Sequence, residues 1–298
     1  MSPAPMTPTP TQPRSAQEML AMARAFLERK GVAEARLEGE LLVAHALGLD
    51  RLRLFMQLDR PVDGAEIDRA RDLLVRRGKR EPLAYITGVR EFYGRPFRVG
   101  PGVLIPRPET ELLVDEARRV AAGLGERELR IADLGTGSGC IAVTLALELP
   151  RARVTAFDLA PAAILCAQRN AELLGARIEL VEGDGLETLA ARAPFELVVS
   201  NPPYVTRAEQ GTLAPEVREH EPELALFAPE RDADFWARTL LERGREWLAP
   251  DGALALELGH QQGARVLALA QGLGWRASLA RDLGGIERVL VARPQLSS

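Results

Sequence analysis

Three glycines in five positions, Gly135-Thr136-Gly137-Ser138-Gly139, separate the apolar run Arg130 to Leu134 from the small and apolar stretch Cys140 to Leu149. The run before the turn is short enough for a buried strand, and the stretch after it is long enough for a helix. A glycine-rich turn in that position lets backbone approach a ligand closely and aims the first N–H groups of the helix at it. The unit therefore calls for parallel strands joined by helices. The turn alone leaves its ligand open, because Gly137 to Ala142 also fits the G-x-G-x-x-A form of a dinucleotide site. A phosphate-binding P-loop is excluded: Cys140 and Ile141 follow Gly139 where Lys and Ser or Thr are required.

The pattern repeats downstream. Ala152 to Asp158 reads as a strand ending in an acid 19 residues after Gly139, and Ile178 to Val181 as a strand followed by Glu182-Gly183-Asp184-Gly185. Strands alternating with helices predict an α/β fold with a doubly wound parallel sheet. Near the end the pattern changes. Leu254 to Leu258, Arg276 to Ala280 and Val289 to Ala292 read as strands, the last two joined through Gly284-Gly285 as an antiparallel hairpin. Asp158 is placed to accept hydrogen bonds from ribose hydroxyls, in NAD and S-adenosylmethionine alike. Asp133, just before the glycine turn, suits a cationic amino-acid moiety better than a pyrophosphate and favours the sulfonium cofactor. Asp184 and Gly185 form a turn suited to flank adenine. Each acid singly also reads as a solvated strand end; four strand ends in the correct order are harder to read that way. The expected cofactor-binding residues are Gly135, Thr136, Gly137, Ser138, Gly139, Asp158, Asp184, Gly185 and Asn201.

The most chemically specific residues follow the next strand, Phe195 to Ser200: they are Asn201-Pro202-Pro203-Tyr204. The Asn side chain supplies a carbonyl acceptor. Proline fixes φ and carries no competing N–H, so the backbone acceptor beside it holds its aim. Tyr204 adds a flat apolar face. Together they can hold a planar NH₂ group by both hydrogens and one face. As ordinary loop punctuation the same four residues would simply end a strand; the glycine turn upstream tips the balance. Asn201, Pro202 and Tyr204 are the expected catalytic residues, and Asn201 to Tyr204 the expected substrate-binding set.

In this order, glycine loop, ribose acid, adenine turn and Asn-Pro-Pro-Tyr resemble the class I S-adenosylmethionine-dependent methyltransferases acting on planar nitrogen. The chain more closely resembles the protein-(glutamine-N5) methyltransferases that modify class-1 peptide chain release factors. The stretches that carry this likeness are Pro82 to Gly88, Val103 to Glu111, Asp133 to Cys140, Ser200 to Tyr204, Glu221-Pro222 with Ala225-Leu226, and Asp282 to Gly285 with Arg288. The resemblance covers roughly residues 15 to 295. It departs at Leu159-Ala160, where Ile-Ser is more usual, and across Phe227 to Trp236, which lacks paired glycines and a Tyr. It implies S-adenosylmethionine as cofactor, methylation of the glutamine amide nitrogen in a Gly-Gly-Gln motif, and a seven-stranded Rossmann-like sheet behind a small helical domain. Other readings stay open at this point: a ribosomal-protein glutamine methyltransferase, an adenine-N6 methyltransferase on DNA or RNA, and a non-enzymatic cofactor-binding scaffold.

Composition narrows the partners. At 298 residues and 46% apolar, the chain can bury one α/β core and a second small domain. Its net charge of −4 argues against general nucleic-acid binding. Residues 51 to 107 nonetheless hold 13 basic and 7 acidic residues, which reads either as an arginine-rich solvated surface or as a docking face. Two cysteines and three histidines (His45, His220, His260) show no metal or disulfide spacing, and no transmembrane run or signal peptide is visible. The expected organisation is a disordered Pro-rich tail over 1–13, a helical substrate-docking domain over 14–87, a β-hairpin linker over 88–106 and the methyltransferase domain over 107–298. A cytoplasmic monomer is expected, with release factors as partners and no stable nucleic-acid or membrane contact. In the helical domain, Ser15-Ala16-Gln17-Glu18 predicts a capping box and a helix up to Gly31. Further helices are expected over about 33–46, over 52–57 and from just after Asp63 to Gly78.

Overall fold

The computed structural model describes residues 12–229 and 232–295; nearly all of the expected 1–13 tail lies outside the described residues. The chain divides after Thr87 into two compact units. The first is helical: Ala16–Arg29, Ala35–Ala46, Arg51–Phe55, Gly64–Gly78 and Leu83–Thr87. Apolar residues at helical spacing, among them Met19, Ala23, Leu27, Leu42, Val43 and Ala70, are buried in it. The Ser15 hydroxyl accepts the Glu18 N–H at 3.3 Å. The return arm of that box is displaced, since the Glu18 carboxylate takes the Arg14 N–H at 2.7 Å instead of that of Ser15. A reciprocal box forms at the fourth helix, between Asp63 and Glu66. Much of the arginine excess is consumed internally: Arg51 pairs with Glu40, Arg60 with Glu66, Arg76 with Glu81, and buried Arg77 with Glu38.

The second unit opens with an antiparallel hairpin, β1 (Val89–Phe92) and β2 (Arg95–Arg98). Seven strands then form one sheet: β3 (Leu129–Leu134), β4 (Ala152–Asp158), β5 (Ile178–Glu182), β6 (Phe195–Ser200), β7 (Leu248–Glu257), β8 (Trp275–Arg281) and β9 (Glu287–Pro294). Their order is β5-β4-β3-β6-β7-β9-β8, with β3 to β7 parallel and β9 antiparallel to both β7 and β8. Both faces of the sheet are covered. Ile131, Val154, Leu197, Val199 and Ala255 pack with helices Glu111–Gly123 and Cys140–Glu148 on one face. Ala132, Leu134, Phe157, Val198, Leu254 and Leu256 pack with Phe235–Arg243 and Gly263–Gly272 on the other. Burial on two sides is why these strands read as continuous apolar runs rather than alternating ones.

β7 begins six residues earlier than the expected Leu254. Its register against β6 jumps from Phe195↔Leu248 to Leu197↔Ala253, so Ala249 to Gly252 bulge out of the ladder. Pro250 and Gly252 within that bulge are what hide the strand's start in the sequence. From β3 the chain winds outward through β4 and β5, then crosses back to β6 on the other side. The gap beyond the carboxyl ends of β3 and β6 is thus the switch point of the sheet, where open α/β folds bind ligands. Among the described residues, no helix is long and apolar enough to cross a membrane.

Candidate functional site

A cavity of about 260 Å³ opens at this switch point. Its wall includes Gly135 to Ser138, Asp158, Asp184, Gly185 and Asn201 to Pro203, so four strand ends far apart in the chain meet on one space. The Ser200 hydroxyl donates to the Leu134 carbonyl at 2.8 Å and ties the ends of β6 and β3 together.

The glycine turn is held from several sides. Gly135 and Thr136 both donate their N–H to the Phe157 carbonyl on β4, at 2.9 and 3.0 Å. Gly135, Gly137 and Gly139 all have positive φ, at 76°, 56° and 79°. Gly135 and Gly137 face open space where a side chain would stand. Gly139 differs: a Cβ there would lie 2.9 Å from the Ala167 Cβ, and Gly139 is not among the cavity-lining residues. Its smallness serves the packing of one helix on the next, and Gly135 and Gly137 leave room for a ligand. Ser138 lines the cavity, and its hydroxyl is buried beside Cys140.

Asp133, expected to suit a cationic ligand, is not among the cavity-lining residues, and its Oδ1 is buried without a hydrogen-bond partner among the described residues. It is fully buried, and one carboxylate oxygen accepts from the Thr136 hydroxyl (2.7 Å) and the Ala142 N–H (3.2 Å). Burial raises its carboxyl to about 7 despite these hydrogen bonds. It braces the turn from within. Asp158 does line the cavity, and its two oxygens accept the Gly137 and Ala160 N–H groups, each at 2.9 Å. Burial raises its pKa, opposed by those two N–H groups. Each oxygen keeps a second lone pair for a ribose hydroxyl. Asp184 caps the helix Gly185–Ala190 through the Leu186 N–H at 2.9 Å. Any side chain at Gly185 would collide with Leu134.

On the acceptor side, the Asn201 amide donates from Nδ2 to the Thr110 hydroxyl at 3.2 Å, and no hydrogen bond from the described residues reaches its Oδ1. Pro202 and Pro203 line the cavity beside it. Tyr204 is not brought into the lining: its ring lies against Gly259, where an added Cβ would stand 2.7 Å from it. Burial and the nearby Glu257 charge push its phenol up to about 12. Cys140 is also pushed up to about 12 by burial and is no nucleophile at neutral pH. None of the three histidines lines the cavity.

Several supports have no precedent in the sequence reading. Buried Asn170 accepts the Arg98 N–H (2.7 Å) and donates to the Arg98 and Ser138 carbonyls (2.9 and 2.8 Å), linking the β2 hairpin to the glycine turn. A polar residue on the helix face of Ala163 and Ala167, in the helix Pro161–Leu174, was its only signal. Glu221 accepts from the Arg107 guanidinium (2.7 Å) and the Ile105 N–H (3.1 Å), joining two of the stretches that carry the family likeness. Arg107, Thr110, Pro222 and Trp236 also line the cavity. The Ala228 N–H, within the departing 227–236 stretch, bonds the Val205 carbonyl at 2.9 Å, fastening that stretch beside Tyr204.

The open glycines and the spare acceptors of Asp158 fit an amino-acid and ribose-bearing ligand. Comparison with known proteins adds to this geometry. Residues 18–88 match the PrmC N-terminal domain and residues 110–219 the methyltransferase small domain. The chain is 45% identical to a release factor glutamine methyltransferase of Geobacter sulfurreducens, over 93% of this chain and 96% of that one. It is also 45% identical to a release factor glutamine methyltransferase of Chlorobaculum tepidum, over 84% of this chain and 87% of that one. Among solved structures, a methyltransferase from Pyrococcus furiosus is similar with a TM-score of 0.48 and 17% identity, over 67% of this chain and 89% of that one.

Proposed function

Because the chain belongs to the release factor glutamine methyltransferases, we infer that it methylates the side-chain amide nitrogen of a release-factor glutamine, with S-adenosylmethionine as methyl donor. The observation that carries the reading is the shared wall: the glycine turn and Asn201-Pro202-Pro203 face one cavity. In finer detail, the target is the glutamine of a Gly-Gly-Gln motif in a class-1 release factor, modified by a cytoplasmic monomer that holds no nucleic acid stably. Residues 14–87 serve as the substrate-docking domain, 88–106 as a hairpin linker and 107–298 as the catalytic domain.

The bound cofactor supplies a methyl group activated by its sulfonium charge. Gly135 to Ser138 hold its amino-acid portion, Asp158 its ribose, and Asp184 with Gly185 its adenine. The chain's remaining task is to make a poor nucleophile attack, since the amide lone pair is delocalised into its carbonyl. Asn201 Oδ1 and the Pro202 carbonyl each accept one amide hydrogen. Holding both hydrogens lets the nitrogen pyramidalise and aims its lone pair into the cavity. The N–H groups grow more acidic as the methyl transfers, so both acceptors bind the transition state more tightly than the ground state. Orientation of this kind can supply on the order of 7–11 kcal/mol, more than any one hydrogen bond. The proton leaves to solvent after transfer. Tyr204, outside the cavity lining, fits the role of bracing the turn better than that of stacking on the amide.

Incubation with methyl-labelled cofactor and separate acceptors (release factor, ribosomal protein, tRNA, DNA) tests the reading. Label on the release-factor glutamine is expected; label on nucleic acid alone refutes it. Asn201→Ala is expected to abolish transfer with cofactor binding retained.

A further inference from the structure

Glu257 is a buried carboxyl beside the site that the mechanism above leaves unused. Ser200 on β6 pairs with Leu256 on β7, so Asn201, just past the end of β6, and Glu257, the last residue of β7, stand side by side. Glu257 is 2% exposed, and Thr110 is equally buried. Thr110 stands at the start of the helix Glu111–Gly123, and its hydroxyl accepts from Asn201 Nδ2 at 3.2 Å. As a hydrogen-bond donor the same hydroxyl opposes the rise that burial gives the Glu257 carboxyl, whose Oε2 has no other partner among the described residues.

The donor inventory orders this chain. A threonine hydroxyl has one proton to give and two lone pairs to receive with. While Glu257 is ionised, that proton is committed to a carboxylate, which can only accept, and the oxygen facing Asn201 can only accept too. The Asn201 amide must then present its NH₂ to Thr110 and its Oδ1 to the cavity. The reversed amide would set two oxygen lone pairs against each other in a buried place, at the cost of an unmade hydrogen bond. Without Thr110, both amide orientations are open, and in one of them an NH₂ confronts the NH₂ of the substrate.

We propose that Thr110, anchored by Glu257, is a positioning residue that fixes the amide orientation of Asn201 so that Oδ1 accepts from the substrate amide. This rests on Asn201 being the amide acceptor of the proposed reaction. Neither Thr110 nor Glu257 transfers a proton or touches the methyl group in this role.

The experiment compares Thr110→Val, Thr110→Ser and Asn201→Ala in the full chain, with kcat, KM for the release factor, S-adenosylhomocysteine affinity and thermal transition measured for each. Thr110→Val keeps the side-chain shape and removes the hydroxyl. It is expected to lower kcat about 10–100-fold, the usual scale for losing an orienting partner, with KM and S-adenosylhomocysteine affinity changed less than about threefold. Thr110→Ser restores the hydroxyl and is expected to recover kcat to within a few-fold of the parent. An inactive Asn201→Ala alongside an unimpaired Thr110→Val overturns the positioning role and leaves the acceptor role standing. A folded Thr110→Ser as slow as Thr110→Val overturns it as well, since the hydroxyl would then not be the operative group. Near-normal turnover by Asn201→Ala overturns the acceptor role first, and the positioning role falls with it.

Discussion

Gly139 and Gly137 share a positive φ and sit two residues apart, yet replacing each by alanine should do opposite things. At Gly139 the backbone is left-handed (φ 79°) and the new Cβ would lie 2.9 Å from Ala167 Cβ and 3.0 Å from Ala167 Cα. The left-handed conformation costs a non-glycine residue about 1–2 kcal/mol. Overpacking against the helix backbone, which cannot rotate away, adds about 1–3 kcal/mol. Alanine also restricts the unfolded chain, which returns about 0.4–1 kcal/mol. The net expectation for Gly139→Ala is a loss of about 2–4 kcal/mol, or some 4–16 °C in the transition of a unit this size. At Gly137 nothing stands within 4 Å of the added carbon, so only the conformational part remains, about 1 kcal/mol. That carbon instead enters the cavity wall. Urea and thermal unfolding of both variants, with calorimetric titration by S-adenosylhomocysteine, separate the two effects. Gly139→Ala should lose stability with affinity within about threefold of the parent at a temperature where it is folded. Gly137→Ala should bind at least about tenfold more weakly from a nearly unchanged fold. The assignment of Gly139 to helix packing is refuted if Gly139→Ala is no less stable than Gly137→Ala.

Asp158→Asn sets an amide NH₂ against either the Gly137 or the Ala160 N–H; titration with S-adenosylhomocysteine should show affinity falling about 10–100-fold. Asn170→Leu orphans the Arg98 N–H and the Arg98 and Ser138 carbonyls, and denaturant unfolding should register a loss of about 2–4 kcal/mol. Arg107→Ala leaves the Glu221 carboxylate, 1% exposed at its side chain, without its counter-charge; a loss of about 3–5 kcal/mol is expected by the same measurement.

That the glycine turn, Asp158, Asp184 and Gly185 would meet on one cavity was largely legible, because that wall is built from local signals. A strand, a glycine turn and a helix lie within about twenty residues, and the acid of the next strand follows at a fixed interval. Asp133 shows the limit of such signals. Its position before the turn suggested a ligand contact, but whether a carboxylate faces a cavity or the loop beneath it depends on the Thr136 hydroxyl and the Ala142 N–H, which only the folded turn brings to it. The acceptor half was legible only as a motif. Asn201 and Pro202 line the cavity, whereas Tyr204 packs against Gly259, 55 positions further on, outside the lining. Thr110, Asn170, Glu221 and Glu257 act through partners 30 to 150 residues away, and no periodicity in a single sequence encodes such pairs. The start of β7 was missed for a different reason: a bulge containing Pro250 and Gly252 carries turn residues inside a strand.

The buried carboxyls tie stability to pH in an uncommon direction. Burial raises Glu257 from an ordinary 4.5 to about 7, with the Thr110 hydrogen bond and Arg288 opposing it. The charged neighbours that act on it are Arg288, Arg107 and Glu109, with the Tyr204 phenol close by. Between pH 4.5 and 7 the folded chain keeps a proton on this group that the unfolded chain has released, so the unfolded state binds fewer protons. Stability from Glu257 is therefore complete below about 4.5 and lost as pH rises through 7. For a shift of this size the loss is on the order of 3 kcal/mol. Glu257→Gln removes the titration, so its transition temperature relative to the parent should climb between pH 5 and 8; a constant difference across that range would refute the assignment. If Thr110 orients Asn201 through the charged form of Glu257, activity and stability move in opposite directions over the same interval. The carboxylate that commits the Thr110 proton exists only where the fold is losing the stability of the neutral acid. A site that orders its acceptor with a buried charge would then turn over fastest where that charge destabilises the fold.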